Sequence, residues 1–409
     1  MLTMAGEEPP QHRVCDEYEV HDQVGSGGFA DVWRATSNEG RTVAVKFPRS
    51  GSDATNDANE VRKRFNRAYQ ALLAFKSGIL PTSLVRFING RREPPRCLVT
   101  ELINGDELSA TVTRSDVSPG IDAVWTFGVP VARALALLHL NDYIYLDCKP
   151  ENVLVWDEYD RPVLIDFNTA ESLSEANDTL FYQDPYKAPE QVPGAAEDTP
   201  SGPYTDVYGV AKLLAFLLTG QTLDTAETPP SGMDVTEYGA DLPGGVADII
   251  QQATRADPGA RPSDCCELVT RLYRADGRSA AVATVTDVRN EVTCPVRVGD
   301  TLGRVSEGEA LPTLSVADPD RYISPVHLEF DYDDGWLIHE SSLNGTFFED
   351  DGTWRFLLSE EGYRHLASQN HPRVQDGQPY EAARLTEPTV LAPVDDSYPV
   401  RFRFDPEPP

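Results

Sequence analysis

Two carboxylates, an amide and an amine lie close together in a short central stretch of the chain. Asp147 is followed within five residues by Lys149 and Asn152, and a short apolar run then ends at Asp166. Transfer of a phosphoryl group from a magnesium-bound nucleotide needs a carboxylate to orient the attacking hydroxyl, oxygen ligands for the metal, and a cation near the moving charge. Asp147 suits the first task and Lys149 the last. Asn152 and Asp166 suit the metal.

A glycine-rich stretch, residues 24–32, lies between two strand-like runs nearer the N-terminus. It reads Val-Gly-Ser-Gly-Gly-Phe-Ala-Asp-Val, and glycines let a backbone close over phosphates without a Cβ clash. Such a pattern alone is commonly only a hairpin turn. It gains weight because Val-Ala-Val-Lys follows at the spacing of the next strand. The lysine in that strand, Lys46, is one of only six in the chain.

Together these motifs resemble the eukaryotic-type serine/threonine protein kinase domain. The resemblance implies that Asp147 orients the substrate hydroxyl, that Lys149 neutralises the γ-phosphoryl group, and that Lys46 contacts the α- and β-phosphates. It implies ATP as the nucleotide, with Mg²⁺ held by Asn152 and Asp166. The ATP-binding residues implied in the same way belong to the glycine-rich loop, the following strand and a hinge between two lobes: Gly25, Gly27, Gly28, Val32, Ala44, Lys46, Glu101 and Ile103.

Residues around the catalytic aspartate depart from the kinase pattern. Tyr145 and Leu146 stand where a histidine and an arginine usually precede it. Without that arginine, a phosphorylated activation loop has no cation to dock on at this position. Asn168 replaces the glycine that usually follows the Asp-Phe pair, and asparagine tolerates the positive φ of such a turn.

The partner of Lys46 is a second departure. In the family a helix glutamate pairs with this lysine, but alignment of the helix after the glycine-rich region places Ala68 there. Glu60 is the acid on this helix, two turns earlier and roughly 12 Å along the axis. Either Glu60 reaches Lys46 or that ion pair is absent.

Two further motifs resemble structural parts of the kinase fold. Residues 186–190, Tyr-Lys-Ala-Pro-Glu, resemble the end of the activation segment, and Arg261 resembles the buried partner of Glu190. Asp206 resembles the helix-start aspartate that braces the catalytic loop. An ordinary acid at a helix N-terminus would also be favourable at that position.

A third set of motifs follows the catalytic region, between short strand-like segments. Val-Gly-Asp-Thr-Leu-Gly-Arg ends at Arg304, and Ile-Ser-Pro-Val-His and Ser-Ser-Leu-Asn-Gly-Thr come after it. In this order they resemble the forkhead-associated domain, a β-sandwich whose loops bind phosphothreonine. The resemblance implies that Arg304 and Ser324 contact the phosphate and that Asn344 holds the peptide backbone. His327 would support the loop from inside.

Hydrophobic periodicity agrees with an α+β architecture, a two-lobed protein-kinase-like fold plus a C-terminal all-β sandwich. Alternating apolar residues predict strands near the N-terminus, and a 3.6-residue repeat predicts a helix over 56–75 and further helices after residue 121. The predicted organisation is a disordered lead-in (1–15), a kinase domain (16–276, with lobes 16–103 and 104–276), a linker (277–289) and a forkhead-associated-like domain (290–409). The stretch 350–395 is expected to be unusually loop-rich.

Composition limits the classes of partner. The chain carries 66 acidic against 35 basic residues, a net charge of −31. Such a surface repels phosphate backbones and anionic lipids, so neither nucleic acid nor a membrane is an expected partner. High ionic strength would screen this self-repulsion, as in proteins of salt-accumulating organisms. An ordinary acidic cytosolic protein is the alternative.

Sorting signals and cysteines indicate a cytoplasmic protein. No run reaches the roughly 18 apolar residues that a membrane span requires, and the N-terminus lacks the apolar core of a signal peptide. The six cysteines show no paired spacing, so neither zinc nor a disulfide framework is expected.

The sequence therefore predicts a protein serine/threonine kinase that acts on protein substrates and also binds phosphothreonine-containing proteins. A pseudokinase scaffold is the alternative, motivated by Ala68, Leu146 and Asn168. Retention of all five polar residues of the cleft argues against it. A small-molecule kinase on the same fold is a third possibility, which the activation-segment motif and the appended domain disfavour.

Overall fold

A computed structural model describes residues 13–14, 17–49, 58–114, 116–174, 184–192, 199–222, 228–238, 245–318, 320–374 and 380–406. These residues form a small β-rich lobe, a larger helical lobe and a C-terminal β-module. The element types match the predicted α+β class.

The small lobe is an antiparallel sheet packed on one helix. The sheet order is β1-β2-β3-β4-β7-β6, and α1 buries the apolar face that its 3.6-residue periodicity predicted. The bounds are β1 Arg13–Val14, β2 Tyr18–Ser26, β3 Ala30–Ser37, β4 Thr42–Pro48, α1 Ala58–Ala74, β5 Leu80–Pro81, β6 Phe87–Arg91 and β7 Cys97–Glu101. The predicted disordered lead-in, 1–15, ends in a short strand, because β1 pairs with the start of β2. Residues 1–12 lie outside the described part of the chain.

The large lobe surrounds one apolar helix. Segments α3 and α4, joined by a π-helical turn at Val124–Gly128, form a continuous helix over 121–140. The bounds are β8 Gly105–Glu107, α2 Leu108–Thr113, α3 Ile121–Ala123, α4 Val129–Leu140, β9 Tyr143–Ile144, β10 Val153–Trp156, β11 Arg161–Leu164, β12 Glu171–Ser172, α5 Pro203–Thr219, α6 Val246–Ala253 and α7 Cys265–Ala275. By length and composition the 121–140 helix would suit a bilayer, but 67% of its window is buried inside the protein, as in a core helix.

Two packed sheets form the C-terminal module. Their orders are β14-β13-β23-β22-β19-β20 and β21-β18-β17-β15-β16-β5. Aromatic side chains fill the space between them, where Phe330 stacks on Phe404 at 5.8 Å. The bounds are β13 Val282–Asp287, β14 Thr293–Arg297, β15 Thr301–Gly303, β16 Leu314–Ser315, β17 Leu328–Tyr332, β18 Trp336–Glu340, β19 Thr346–Asp350, β20 Thr353–Leu357, α8 Glu360–Ser368, β21 Ala382–Leu385, β22 Thr389–Pro393 and β23 Phe402–Asp405.

Two expectations for this region differ from the structure. The interval 277–289, expected to be a linker, contains β13, which pairs with β14 and β23. The interval 350–395, expected to be loop-rich, contains α8 and strands β20 to β22. Short amphipathic segments with ordinary turn residues between them gave too little periodic signal to separate them from loops.

The module packs directly against both lobes. Strand β5, which follows α1, pairs antiparallel with β16 and so becomes the edge strand of a sandwich sheet. Asn141, just beyond α4, exchanges two hydrogen bonds with the backbone of Thr293, at 2.7 and 2.9 Å. Arg133 forms a buried ion pair with Asp300. A Cβ on Gly78 would lie 2.9 Å from the side chain of Val292, so the valine packs directly on the Gly78 backbone and leaves no room there for a second side chain.

Candidate active site

The glycine-rich loop is the turn between β2 and β3. The amide of Gly27 donates to the carbonyl of Ala30 at 2.9 Å, which closes the hairpin. At the tip, the Phe29 ring lies 3.8 Å from the guanidinium of Arg64 on α1. The loop is thus connected to the helix and lies over the opening between the lobes.

Beneath this loop lies a cleft of about 860 Å³ between the lobes. All eight residues predicted to bind ATP line it, and so do the two predicted to hold metal. They come from the glycine-rich loop, β4, the β7 hinge, the catalytic loop and the end of β11: Gly25, Gly27, Gly28, Val32, Ala44, Lys46, Glu101, Ile103, Asn152 and Asp166.

The hinge at the back of the cleft is connected to the C-terminal module. The carboxylate of Glu101 accepts the Arg86 amide at 2.7 Å, and the Arg86 guanidinium donates to the carbonyl and hydroxyl oxygens of Ser315 on β16. Burial raises the pKa of Glu101, and the charge of Arg86 opposes that rise. One arginine therefore links the hinge to the appended sandwich.

Lys46 pairs with Asp166 and not with a helix acid. Its ammonium lies 2.8 Å from Asp166 Oδ1 and 3.2 Å from Asn168 Oδ1. Of the alternatives left open by the sequence, Glu60 does not reach Lys46, because it binds Arg64 at 2.7 Å. Ala68 is buried and lines the cleft.

Helix α1 is connected to the activation segment by a charge pair of its own. Arg67 lies 2.9 Å from Glu171 on β12, and both side chains are largely buried. Glu171 follows Asp166 by five residues, so this contact joins the helix to the start of the segment. The pair cannot be predicted from the sequence, since nothing in the spacing relates residues about a hundred positions apart.

Asp147 is held by both of its carboxylate oxygens, from the catalytic loop and from the activation segment. Asn152 Nδ2 donates to Oδ2 at 2.8 Å, while Lys187 and Lys149 approach Oδ1 at 2.9 and 3.4 Å. Lys149 also pairs with Asp184 at 3.1 Å. Burial alone would lower the pKa of Lys149, but these two carboxylates outweigh it and raise the pKa.

Asp206, at the start of α5, braces the catalytic loop from below. Its carboxylate accepts the amides of Tyr145 and Leu146 at 2.8 and 2.6 Å. It also contacts His139 Nε2 at 2.9 Å. Leu146 has a positive φ of 68°, a conformation costly for a branched side chain, and the two charge-assisted hydrogen bonds help to hold it.

Tyr145 fills the position of the missing histidine. Its hydroxyl donates to the carbonyl of Ile165, and its ring packs edge-on against Phe167 at 5.4 Å. The hydroxyl of Thr169 donates to the Tyr145 carbonyl at 2.9 Å. Burial, followed by the charge of Asp166, raises the pKa of Tyr145 well above its ordinary value. The neutral tyrosine therefore ties the catalytic loop to the strand end that carries Asp166.

The end of the activation segment is fixed by a fully buried ion pair. Arg261 donates to both oxygens of Glu190, at 2.7 and 2.9 Å. Bidentate geometry of this kind is specific as well as strong. The pair expected from the sequence is therefore formed.

Asn152 and Asp166 offer a donor set that suits Mg²⁺. Because the Asn152 amide nitrogen donates to the main-chain and side-chain oxygens of Asp147, both at 2.8 Å, its amide oxygen faces away from Asp147. Asp166 adds a carboxylate in the same cleft. One or two protein oxygens completed by phosphate oxygens and water is the usual coordination of Mg²⁺ at nucleotide sites.

The loops of the C-terminal module bring the second set of predicted residues together. The hydroxyl of Ser324 accepts the Leu343 amide at 3.3 Å, and the Arg304 amide donates to the Ser324 carbonyl at 3.1 Å. Asn344 Nδ2 donates to the Tyr322 carbonyl at 2.7 Å. The three segments that carry Arg304, Ser324 and Asn344 therefore meet at one end of the sandwich.

His327 supports these loops from inside the module. It is fully buried, with Nδ1 accepting the Ser324 amide at 3.2 Å and Nε2 lying 3.1 Å from the hydroxyl of Thr346. Burial lowers the pKa of His327, and Glu340 opposes that effect. The supporting role expected from the sequence matches this geometry.

The catalytic region matches the protein kinase domain family over residues 18–277, and the chain belongs to that family. Its relatives include a probable serine/threonine-protein kinase, PkwA, of Thermomonospora curvata (27% identity, covering 62% of this chain and 34% of the relative). PknB of Corynebacterium glutamicum, a second probable serine/threonine-protein kinase, is 27% identical over 68% of this chain and 45% of its own length. The chain thus spans less than half of these relatives.

Structural comparison gives the same fold. The chain resembles the solved structure titled PpkA-294 apo form, with a TM-score of 0.51 and 22% identity. The match covers 65% of this chain and 99% of the other. At that identity the likeness concerns the fold alone.

Lys187 and Asp184 are two functional candidates that the motif search did not single out. Both come from the activation segment and reach the catalytic loop. A signal for Lys187 was present, since it is one of six lysines in a chain of 409 residues and directly precedes the Ala-Pro-Glu motif. Lysine is as scarce around Lys187 as around Lys46, so the same signal marks both residues.

Proposed function

We propose that this chain transfers the γ-phosphoryl group of ATP to serine or threonine hydroxyls of protein substrates. The observation that carries the proposal is that Lys46, Asn152 and Asp166 line the cleft between the lobes, while Asp147 accepts a hydrogen bond from Asn152 and lies 3.4 Å from Lys149. The names of the relatives support the choice of serine and threonine, as does the lysine two residues after Asp147.

Each polar side chain has a role in the proposed reaction. Asp147, held by Asn152 and two lysines, accepts a hydrogen bond from the attacking hydroxyl and orients it. Lys149 offsets the negative charge of the phosphoryl group as it moves, and Lys46 holds the nonreacting phosphates. Bound Mg²⁺ would neutralise charge on the phosphate oxygens, and Asn152 and Asp166 would hold it.

Measurement of phosphate transfer tests the proposal. Purified protein is incubated with γ-labelled ATP, Mg²⁺ and generic acidic and basic protein substrates, at low and at molar KCl, beside Asp166→Ala. We expect label on serine and threonine with the wild type and none with the variant. Equal labelling by both proteins would show that the label does not arise at this site and would remove the catalytic proposal. Nucleotide binding without labelling by the wild type would favour a pseudokinase scaffold.

We propose further that the C-terminal module binds phosphothreonine peptides at the loops that carry Arg304, Ser324 and Asn344. A phosphate dianion favours an arginine and a hydroxyl as partners, and an asparagine side chain can hold a peptide backbone through both its donor and its acceptor. The exposed side chains of Tyr322 and Leu343 flank these residues. They offer apolar contacts that a peptide would use and that inorganic phosphate would not.

Binding to matched peptides tests the second proposal. A phosphothreonine peptide library is screened against the full-length chain, with each unphosphorylated peptide as its control. Loss of a hydrogen bond to a charged group costs about 1.5–3 kcal/mol, so Arg304→Ala should weaken binding by about 10- to 100-fold. Equal affinity of wild type and variant for the selected peptide would place binding elsewhere.

A further inference from the structure

The last part of the activation segment carries a lysine that reaches back to the catalytic aspartate. Lys187 lies between Tyr186 and the Ala-Pro-Glu motif, and only 2% of its surface is exposed. Its ammonium lies 2.9 Å from Asp147 Oδ1 and donates to the carbonyl of Leu146 at 2.5 Å. The charge of this buried lysine is thus directed at the residue proposed to orient the substrate hydroxyl.

A buried ammonium is stable only beside a counter-charge. Transfer of an unpaired cation from water into a protein interior is strongly unfavourable, and removal of one partner from a buried pair is costly for the same reason. Burial lowers the pKa of Lys187, and Asp147 is the main charge that opposes this effect. A segment that moved away would have to expose Lys187 or leave it unpaired.

A second contact joins the same two elements. Lys149 of the catalytic loop pairs with Asp184 at 3.1 Å. The other oxygen of that carboxylate accepts the amide of Tyr186 at 2.9 Å. Lys149 of the catalytic loop therefore pairs with Asp184 of the segment, and Lys187 of the segment pairs with Asp147 of the catalytic loop.

The residue directly before Asp147 carries no charge that could respond to a phosphorylated segment. Leu146 has no charge to offer, and its carbonyl instead accepts hydrogen bonds from Lys187 and from Gln191 at 3.1 Å. In the family pattern the catalytic loop supplies the cation, an arginine, and the phosphorylated segment supplies the acceptor. Here the segment supplies the cation, Lys187, and the catalytic loop supplies the acceptors.

We propose that Lys187 is a positioning residue that holds the last part of the activation segment, residues 184–192, in its active arrangement without phosphorylation of that segment. The proposal rests on the proposed kinase activity. It implies that the enzyme is ordered for turnover as synthesised, and that control is exerted elsewhere than on the hydroxyls of this segment.

Kinetics of the full-length chain test the proposal. Wild type is treated with a phosphatase, checked by mass spectrometry, and compared with Lys187→Met and Lys187→Arg. We expect dephosphorylated wild type to keep its kcat. Lys187→Met should lose about 10- to 100-fold in kcat, the loss expected for a hydrogen bond to a charged group, with KM for ATP within about twofold. Lys187→Arg, which keeps the charge, should recover most of the loss.

Hydrogen exchange of the segment gives a readout that does not depend on activity. Amides 184–192 should exchange faster in Lys187→Met than in wild type or Lys187→Arg, while the amides of α4 stay protected. Unchanged exchange in Lys187→Met, or loss of wild-type activity on dephosphorylation, would overturn the proposal. Faster exchange in Lys187→Met together with an inactive wild type would instead refute the kinase function and leave the positioning role supported.

Discussion

The cleft between the lobes and the loop face of the C-terminal module differ in whether their positive charges are paired. The loop face consists of the loops that carry Arg304, Ser324 and Asn344. In and beside the cleft, each lysine proposed to act on ATP already lies near a carboxylate, as Lys46 does with Asp166 and Lys149 with Asp147. On the loop face, Arg304 forms no ion pair with any residue that the structure describes, and its Nε has no hydrogen-bond partner among them. The lysines at the cleft therefore have carboxylate partners within the protein, whereas Arg304 on the loop face has none among the described residues.

This difference has a physical meaning for ligand binding. In the cleft, a nucleotide and its cation would exchange partners with charges that are already paired, so binding requires several side chains to reorganise together. At Arg304, a dianion would satisfy a donor without breaking an existing pair. The cleft should therefore be sensitive to every member of its network, whereas the loop face should depend on a few residues that contribute little to folding.

The largest effect should follow loss of the negative charge at Asp147. Asp147→Asn keeps the size of the side chain but removes the carboxylate that orients the hydroxyl, so kcat should fall by about 10³-fold. Steady-state phosphorylation of a protein substrate measures this change. Asp122→Asn, an exposed acid in the first turn of α3, is the matched control and should keep full activity. A loss of less than tenfold in Asp147→Asn would contradict the role.

A slightly smaller effect, on the free energy of unfolding, is expected from loss of the buried ion pair between Arg261 and Glu190. Arg261→Met leaves Glu190 buried without its partner and should lower the free energy of unfolding by about 3 kcal/mol. Arg304→Met should change it by less than about 0.5 kcal/mol, as for an unpaired residue near the surface. Urea denaturation followed by circular dichroism measures both. Equal losses would remove the distinction between the two regions.

A third substitution tests how far the two regions unfold together. Asn141→Ala removes both hydrogen bonds to the Thr293 backbone, at a cost of about 1–3 kcal/mol. We expect the single thermal transition of the wild type to broaden or split, because contacts between the regions are weakened while each core stays intact. Calorimetry measures this. Asn59→Ala, on the exposed face of α1, serves as the control, and an equally sharp transition in both variants would argue against coupling.

The smallest effect concerns pH and His327. Because burial lowers its pKa in the folded module, the unfolded chain binds a proton near pH 6.5 that the folded chain does not. Stability is therefore fully present above that pH and decreases as the pH falls, by at most about 1.4 kcal/mol per pH unit. His327→Gln should reduce this dependence between pH 7.5 and 5.5. If wild type and His327→Gln lose the same stability as the pH falls, measured by urea denaturation, His327 is excluded as the source of the pH dependence.

Residues that act through short-range motifs could be predicted from the sequence. Asp147, Asn152 and Asp166 form a compact sequence pattern; Asn152 and Asp166 line the cleft between the lobes, and Asp147 is hydrogen-bonded to Asn152. The helix of 58–74 and its buried face followed from periodicity alone. These features depend on local spacing, which a single sequence records directly.

Contacts between distant segments could not be predicted in the same way. The pairing of Arg67 with Glu171 and the approach of Lys187 to Asp147 depend on how the chain returns to itself. The pairing of β5 with β16 joins residues more than two hundred positions apart. Neither partner of such a contact carries a pattern that points to the other, so only the folded arrangement shows them.

The shared strand at Leu80–Pro81 bears on any attempt to divide this protein. A fragment that stopped at residue 277, where the family match ends, would leave that strand with an open backbone edge and would uncover the apolar side chains around Gly78. Newly exposed apolar surface of this kind favours association with other chains. Expression of the catalytic part alone should therefore give self-associating material, and inhibitor screens or crystallisation trials will need the intact polypeptide.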